Sequence, residues 1–115
     1  MSGCPSSFCT ICTNPCKKTL NILLQTIQLH HANIPIYISC DEPSKAYLVK
    51  NTYLFPDLNI TYYIELNDWT NYGRDQMTEE QCFGEFLENK MRIMLKALET
   101  SNDTLFLDTD IVFLL

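Results

Sequence analysis

The segment Leu105-Phe106-Leu107-Asp108-Thr109-Asp110-Ile111-Val112-Phe113-Leu114-Leu115 sets the strongest condition on any fold for this chain. An apolar stretch of strand length runs into two aspartates one residue apart, and a second apolar stretch follows at once. A carboxylate buried without a partner is too costly for a fold to keep, so the pair needs either water or a cation. Carboxylates spaced i, i+2 around a bend can both turn toward one hard divalent ion, Mn²⁺ or Mg²⁺, whose remaining positions go to water and phosphate. The plain alternative is a strand end in solvent, with one aspartate capping the next element.

The rest of the chain reads as alternating strands and helices. Residues 1–7 are expected to be a flexible lead-in, and residues 8–115 a single domain part. Phe8 to Thr13 has strand character, and Asn14-Pro15 suits the start of a helix, which Leu20, Leu23, Leu24 and Ile27 continue at helical spacing to about His31. Asn33-Ile34-Pro35 ends it. Ile36 to Cys40 makes a second strand closing on Asp41, and Pro43-Ser44 open a second helix. Ile60 to Ile64 makes a third strand. After a polar loop, Thr78-Glu79-Glu80-Gln81 matches a capping box and starts the longest helix, which runs to about Thr100 before a fourth strand at Thr104 to Leu107. This order predicts an α/β fold, with a mostly parallel sheet of about four strands and helices on its faces.

Composition narrows the function classes. The 115 residues allow one small domain, and 46% apolar with 19% charged residues describe a folded chain. A net charge of −6 and the lack of a Lys/Arg cluster argue against nucleic acid or an anionic membrane as the main partner. No signal-peptide pattern opens the chain, and no apolar run is long enough to span a bilayer, so a cytoplasmic placement is expected. Asn59-Ile60-Thr61 and Asn102-Asp103-Thr104 match the glycosylation pattern, which is frequent by chance. Of the six cysteines, Cys9 and Cys12 form a Cys-x2-Cys pair with Cys4 and Cys16 nearby. With no second such pair, they read as small hydrophobes on a buried strand.

In a parallel sheet every strand ends on the same edge, and ligands bind there. Three polar clusters are expected at that edge: Thr13-Asn14, Asp41-Glu42 and Asp108-Thr109-Asp110. The long helix adds a cation. At 100° per residue, Phe83, Phe86, Leu87, Ile93, Met94, Ala97 and Leu98 cluster in direction, and Lys90 lies in the middle of that stripe. A lysine there either snorkels to water or reaches the aspartate pair or a bound phosphate.

Taken together, Leu105-Phe106-Leu107-Asp108-Thr109-Asp110-Ile111-Val112, the Glu88-Asn89-Lys90 segment in the preceding helix, Phe8 to Asn14 and Ile36 to Asp41 resemble the N-terminal, nucleotide-binding half of a GT-A-fold glycosyltransferase. The likeness is to the nucleotide-diphospho-sugar transferases related to glycogenin and the galactosyltransferase-like families. It implies a Rossmann-like half-domain and transfer of a sugar from a nucleotide sugar, commonly UDP-linked, to an acceptor. It also implies that Asp110 ligates Mn²⁺ or Mg²⁺, with Asp108 sharing the metal or the ribose and Thr109 lining the same site. Lys90 would add positive charge or orient the aspartates, and Thr13, Asn14 and Asp41 would contact the uridine. A complete domain of that family is considerably longer. The later metal ligand and the acceptor-binding half have no counterpart here, so the chain reads as a truncated part, and its open sheet edge predicts self-association.

Two other readings stay open. Asp108 to Val112 also fits the Asp-x-Asp motif of haloacid-dehalogenase-like phosphatases, where Asp108 would be a nucleophile and Asp110 an acid/base. The chain could also be a non-catalytic module that only binds nucleotide.

Overall fold

The computed structural model describes residues 6–13, 16–65 and 79–108, with side chains of the last segment described from Leu87 onward. Strand β1 (Phe8–Cys12) leads to helix α1 (Lys17–His30), strand β2 (Pro35–Cys40) and helix α2 (Glu42–Lys50). A short 3-10 turn (Thr52–Leu54), strand β3 (Asn59–Ile64), helix α3 (Glu79–Leu98) and strand β4 (Leu105–Phe106) follow. The sheet has the order β3-β2-β1-β4, and all three pairings are parallel. This is the Rossmann-like α/β arrangement that the alternating pattern predicted.

Each helix forms for a local reason and is held by one face. Leu20, Leu23, Leu24 and Ile27 fall on one side of α1 at spacings of three and four, and all are buried. They pack with Phe8, Ile36 and Ile38 of the central strands and with Leu48 of α2. Burying one such side chain contributes about 1.5–3 kcal/mol, so this layer is the main hydrophobic core. The turn after α1 carries Asn33 at φ 78°, a left-handed conformation that asparagine tolerates better than most residues, and the chain re-enters the sheet at Pro35. The Asn14-Pro15 start proposed for α1 and the Thr78 cap proposed for α3 lie outside the described residues. The position before α1 is Cys16, whose side chain makes no capping bond.

The two connections from β1 to β2 and from β2 to β3 move the chain outward in one direction, so right-handed crossovers put α1 and α2 on the same face. The connection from β3 to β4 runs back past β2 and β1, and its helix α3 must cover the other face. The packing agrees. Cys9 and Ile11 of β1 meet Ile93 and Ala97 of α3, whereas Phe8 and Cys12 of the same strand meet the layer of α1 and α2. Alternation along one strand therefore feeds two separate cores.

Candidate functional site

In a sheet of order 3-2-1-4, the crossovers leave β1 in opposite directions on its two sides. The crevice between the carboxyl ends of β1 and β4 is the topological switch point, where ligands bind in open α/β sheets. Thr13 follows β1 and Asp108 follows β4 by two residues, so both border this crevice. Thr13 is half-buried, and its carbonyl accepts the Cys16 N–H at 2.8 Å, which turns the chain into α1. Asp108 is exposed.

The end of β4 is held firmly to β1. Leu105 N–H donates to the Ser7 carbonyl at 3.0 Å and Leu107 N–H to the Cys9 carbonyl at 2.9 Å. Beyond the ladder, the Thr10 hydroxyl donates to the Leu107 carbonyl at 2.6 Å. At the opposite end of the pair, the backbone N–H of Ser6 donates to Asp103 Oδ1 at 2.6 Å and holds that carboxyl below its ordinary pKa. The peptide that delivers Asp108 is thus fixed by groups far away in sequence. Nothing in the sequence signals this role for Thr10, because a threonine inside an apolar run looks only like a strand former.

Lys90 differs from its expected place. Among the described side chains of α3, Asn89, Ile93 and Ala97 are buried, and Lys90 is half-buried at the flank of that face. Leu87 and Leu98, counted toward the inner stripe from the sequence, are exposed. The apolar residues of this helix surround it so widely that periodicity alone centres the inner face wrongly, and the sheet decides which side is covered. The Lys90 Nζ sits 4.8 Å from the centroid of the Phe106 ring, beside the strand that carries Asp108. Lys96 lies over the Tyr63 ring at 4.4 Å and pairs with Glu65 at 3.5 Å. Lys90 takes no part in this ion pair or in Arg92–Glu88 and is placed against an aromatic ring.

Asp41 is fully buried. Its side chain accepts the Ser44 N–H at 2.9 Å, and it is the N-cap of α2, with Pro43 in the first turn. An aspartate two residues before proline carries this signal in the sequence, although the helix was expected to open later, at Pro43. Asn14, Thr109 and Asp110 lie outside the described residues.

The four described cysteines are free, and Cys9, Cys12 and Cys40 are buried. Cys9 and Cys12 belong to the two different cores, so the Cys-x2-Cys pair straddles the sheet and its sulfurs face opposite layers. Burial pushes the Cys12 thiol up to about 12, against a smaller opposing pull from the Ser44 hydroxyl. Burial also pushes Cys40 up to about 12, with Cys12 and Asp41 adding to it. The Tyr62 hydroxyl is raised to about 12 as well, first by burial and then by the neighbouring Cys40 and Cys12. At neutral pH these groups are uncharged, so beneath α1 and α2 the sheet edge is lined by neutral thiols and a phenol.

Among the described residues no three His, Cys, Asp or Glu side chains group as a metal site. Among the same residues, no helix is long and apolar enough to cross a membrane. No family model, no curated protein and no solved structure matches the chain.

Proposed function

We propose that this chain is the nucleotide-sugar-binding part of a metal-dependent glycosyltransferase, binding a UDP-sugar with Mn²⁺ or Mg²⁺ through Asp108 and Asp110. The observation that supports this most is the juxtaposition of an acidic strand end with the end of β1 at the switch point of a parallel sheet. A diphosphate in that crevice would meet the end of β1 on one side and the Asp-x-Asp segment on the other.

The donor set suits a hard cation. Asp108 offers an exposed carboxylate in none of the described ion pairs, and a hard cation prefers such oxygen ligands to the buried thiols of Cys12 and Cys40. Asp108 and Asp110 would hold the metal, which would supply positive charge against the diphosphate of the departing nucleotide. Lys90, held against Phe106 next to this strand, would add a second positive charge toward the same phosphates. Asp41 would act through α2, whose first turn it fixes. Thr13 and Asn14 would line the nucleotide side, with Thr109 between the two acids.

Calorimetry tests the reading. UDP in the presence of Mn²⁺ should bind, UDP without metal should bind weakly, and Asp108→Asn should lose at least tenfold in affinity while unfolding at the same denaturant concentration. No binding by the wild type under any of these conditions overturns the proposal. Covalent phosphorylation of Asp108 by a small phosphodonor would overturn it in favour of a phosphatase.

A further inference from the structure

Cys12 and Cys40 are the last residues of β1 and β2, and they are Cα partners in the parallel ladder. Residues paired in this way point to the same face, and both side chains are buried in the layer under α1 and α2. Neighbouring strands lie about 4.8 Å apart, inside the window of about 4.4–6.8 Å between Cα atoms that a disulfide requires. Both thiols are free. The Ser44 hydroxyl is buried and outside the hydrogen bonds of ordinary geometry among the described residues, yet it is close enough to Cys12 to oppose the rise of its pKa. It is a donor held beside a sulfur that would need one as a thiolate.

We infer that Cys12 and Cys40 form a redox latch, closing to a disulfide under hydrogen peroxide and reopening in excess thiol. The Cys12 thiolate attacks one peroxide oxygen, the O–O bond breaks, and a sulfenic acid is left on Cys12. The Cys40 thiolate then attacks that sulfur, and the hydroxyl leaves as water. Two S–H bonds and one O–O bond give one S–S bond and two waters, the two sulfurs together losing the two electrons that the peroxide gains. Closing the bond draws the two Cβ atoms to about 3.8 Å, nearer than the strand spacing, and so pulls together the strand ends that continue into Thr13 and Asp41. Such strain makes the bond easy to reduce, which is the property of a regulatory disulfide and not of a structural one. Cys9, three residues before Cys12, faces the opposite layer and takes no part.

Peroxide treatment of the whole folded chain, followed by alkylation of the remaining thiols, digestion and mass spectrometry, is the test. Cys4, Cys16 and Cys82 also carry thiols, so the measurement is made on the wild type and on a variant combining Cys4→Ser, Cys16→Ser and Cys82→Ser. In both, a peptide joined through Cys12 and Cys40 should appear, lighter by two hydrogens than its separate halves, and should vanish in excess reduced glutathione. Cys12→Ala and Cys40→Ala should each abolish it, and Cys9→Ala should leave it unchanged. Ser44→Ala should slow its formation several-fold at an unchanged urea midpoint. Absence of the joined peptide in the native wild type overturns the inference, as does a dominant link to another cysteine or a Cys12–Cys40 link that forms only in urea. A link that persists in excess glutathione would be structural and would overturn the latch. No nucleotide takes part in this chemistry, which is measured independently of the function proposed above.

Discussion

Thr10 and Leu107 stand 97 residues apart and are joined by one hydrogen bond, the threonine hydroxyl donating to the leucine carbonyl at 2.6 Å in the buried interior. This bond closes the last peptide before Asp108 onto the central strand. It couples the stability of the sheet to the position of the candidate site. Replacing Thr10 by valine keeps the shape and removes the donor, leaving the Leu107 carbonyl without that partner. The expected loss is about 1–2 kcal/mol in chemical denaturation, together with weaker binding of UDP and Mn²⁺. Thr10→Ser, which keeps the hydroxyl, should retain most of the affinity.

Asp41 separates a structural role from a contact with ligand. Because its carboxylate caps α2, Asp41→Ala should lower stability by about 1–2 kcal/mol, and Asp41→Asn should recover most of the loss. Both variants should bind UDP with Mn²⁺ within a few-fold of the wild type once folded. A large drop in affinity for the asparagine variant at unchanged stability would give the carboxylate a direct role in holding the nucleotide.

Alkaline pH should weaken the fold before acid chemistry at the candidate site is affected. The buried Cys12 and Cys40 thiols titrate at about 12 when folded and near 9.0 when exposed, so the unfolded chain releases these protons first as pH rises. Their contribution is intact below about pH 9 and declines between about 9 and 12, by up to about 1.4 kcal/mol per pH unit for each group. Tyr62, raised from 10.0 to about 12, steepens the upper part of this window. Urea midpoints measured from pH 7 to 11 should be flat and then fall, and Cys40→Ala should flatten the fall.

Lys90 is expected to matter more for binding than for folding. Its ammonium over Phe106 contributes about 0.5–1 kcal/mol at a partly exposed position, and methionine would keep the aliphatic packing. Lys90→Met should therefore change stability by less than about 1 kcal/mol while weakening UDP–Mn²⁺ binding several-fold, and Lys90→Arg should restore part of it. Equal affinity in wild type and methionine variant would leave the lysine with only its contact to the ring.

The elements themselves were legible because their causes are local. Leu20, Leu23, Leu24 and Ile27 repeat at helical spacing, Ile36 to Cys40 is a short apolar run after a helix break, and each appears as an element within a few residues of its expected bounds. The reading of the cysteines as buried hydrophobes follows from the same strand pattern, since residues three apart on a strand face opposite ways. The inner face of α3 was legible only in part: Ile93 and Ala97 are buried as expected, whereas Leu87 and Leu98 are exposed. Leu87, Met91, Leu95 and Leu98 are as apolar as Ile93 and Ala97, and nothing in a helix taken alone says which set the sheet will cover.

The amino-acid order by itself therefore determined the alternation of strands and helices, the parallel sheet and the acidic end of the last described strand, because periodicity, caps and turn residues act over a few positions. Only the tertiary structure decided that β4 lies against β1, that Thr10 secures Leu107, and that Lys90 rests on Phe106. Those outcomes depend on contacts between segments tens of residues apart, whose geometry is set by crossover handedness and by which apolar surfaces exclude water together.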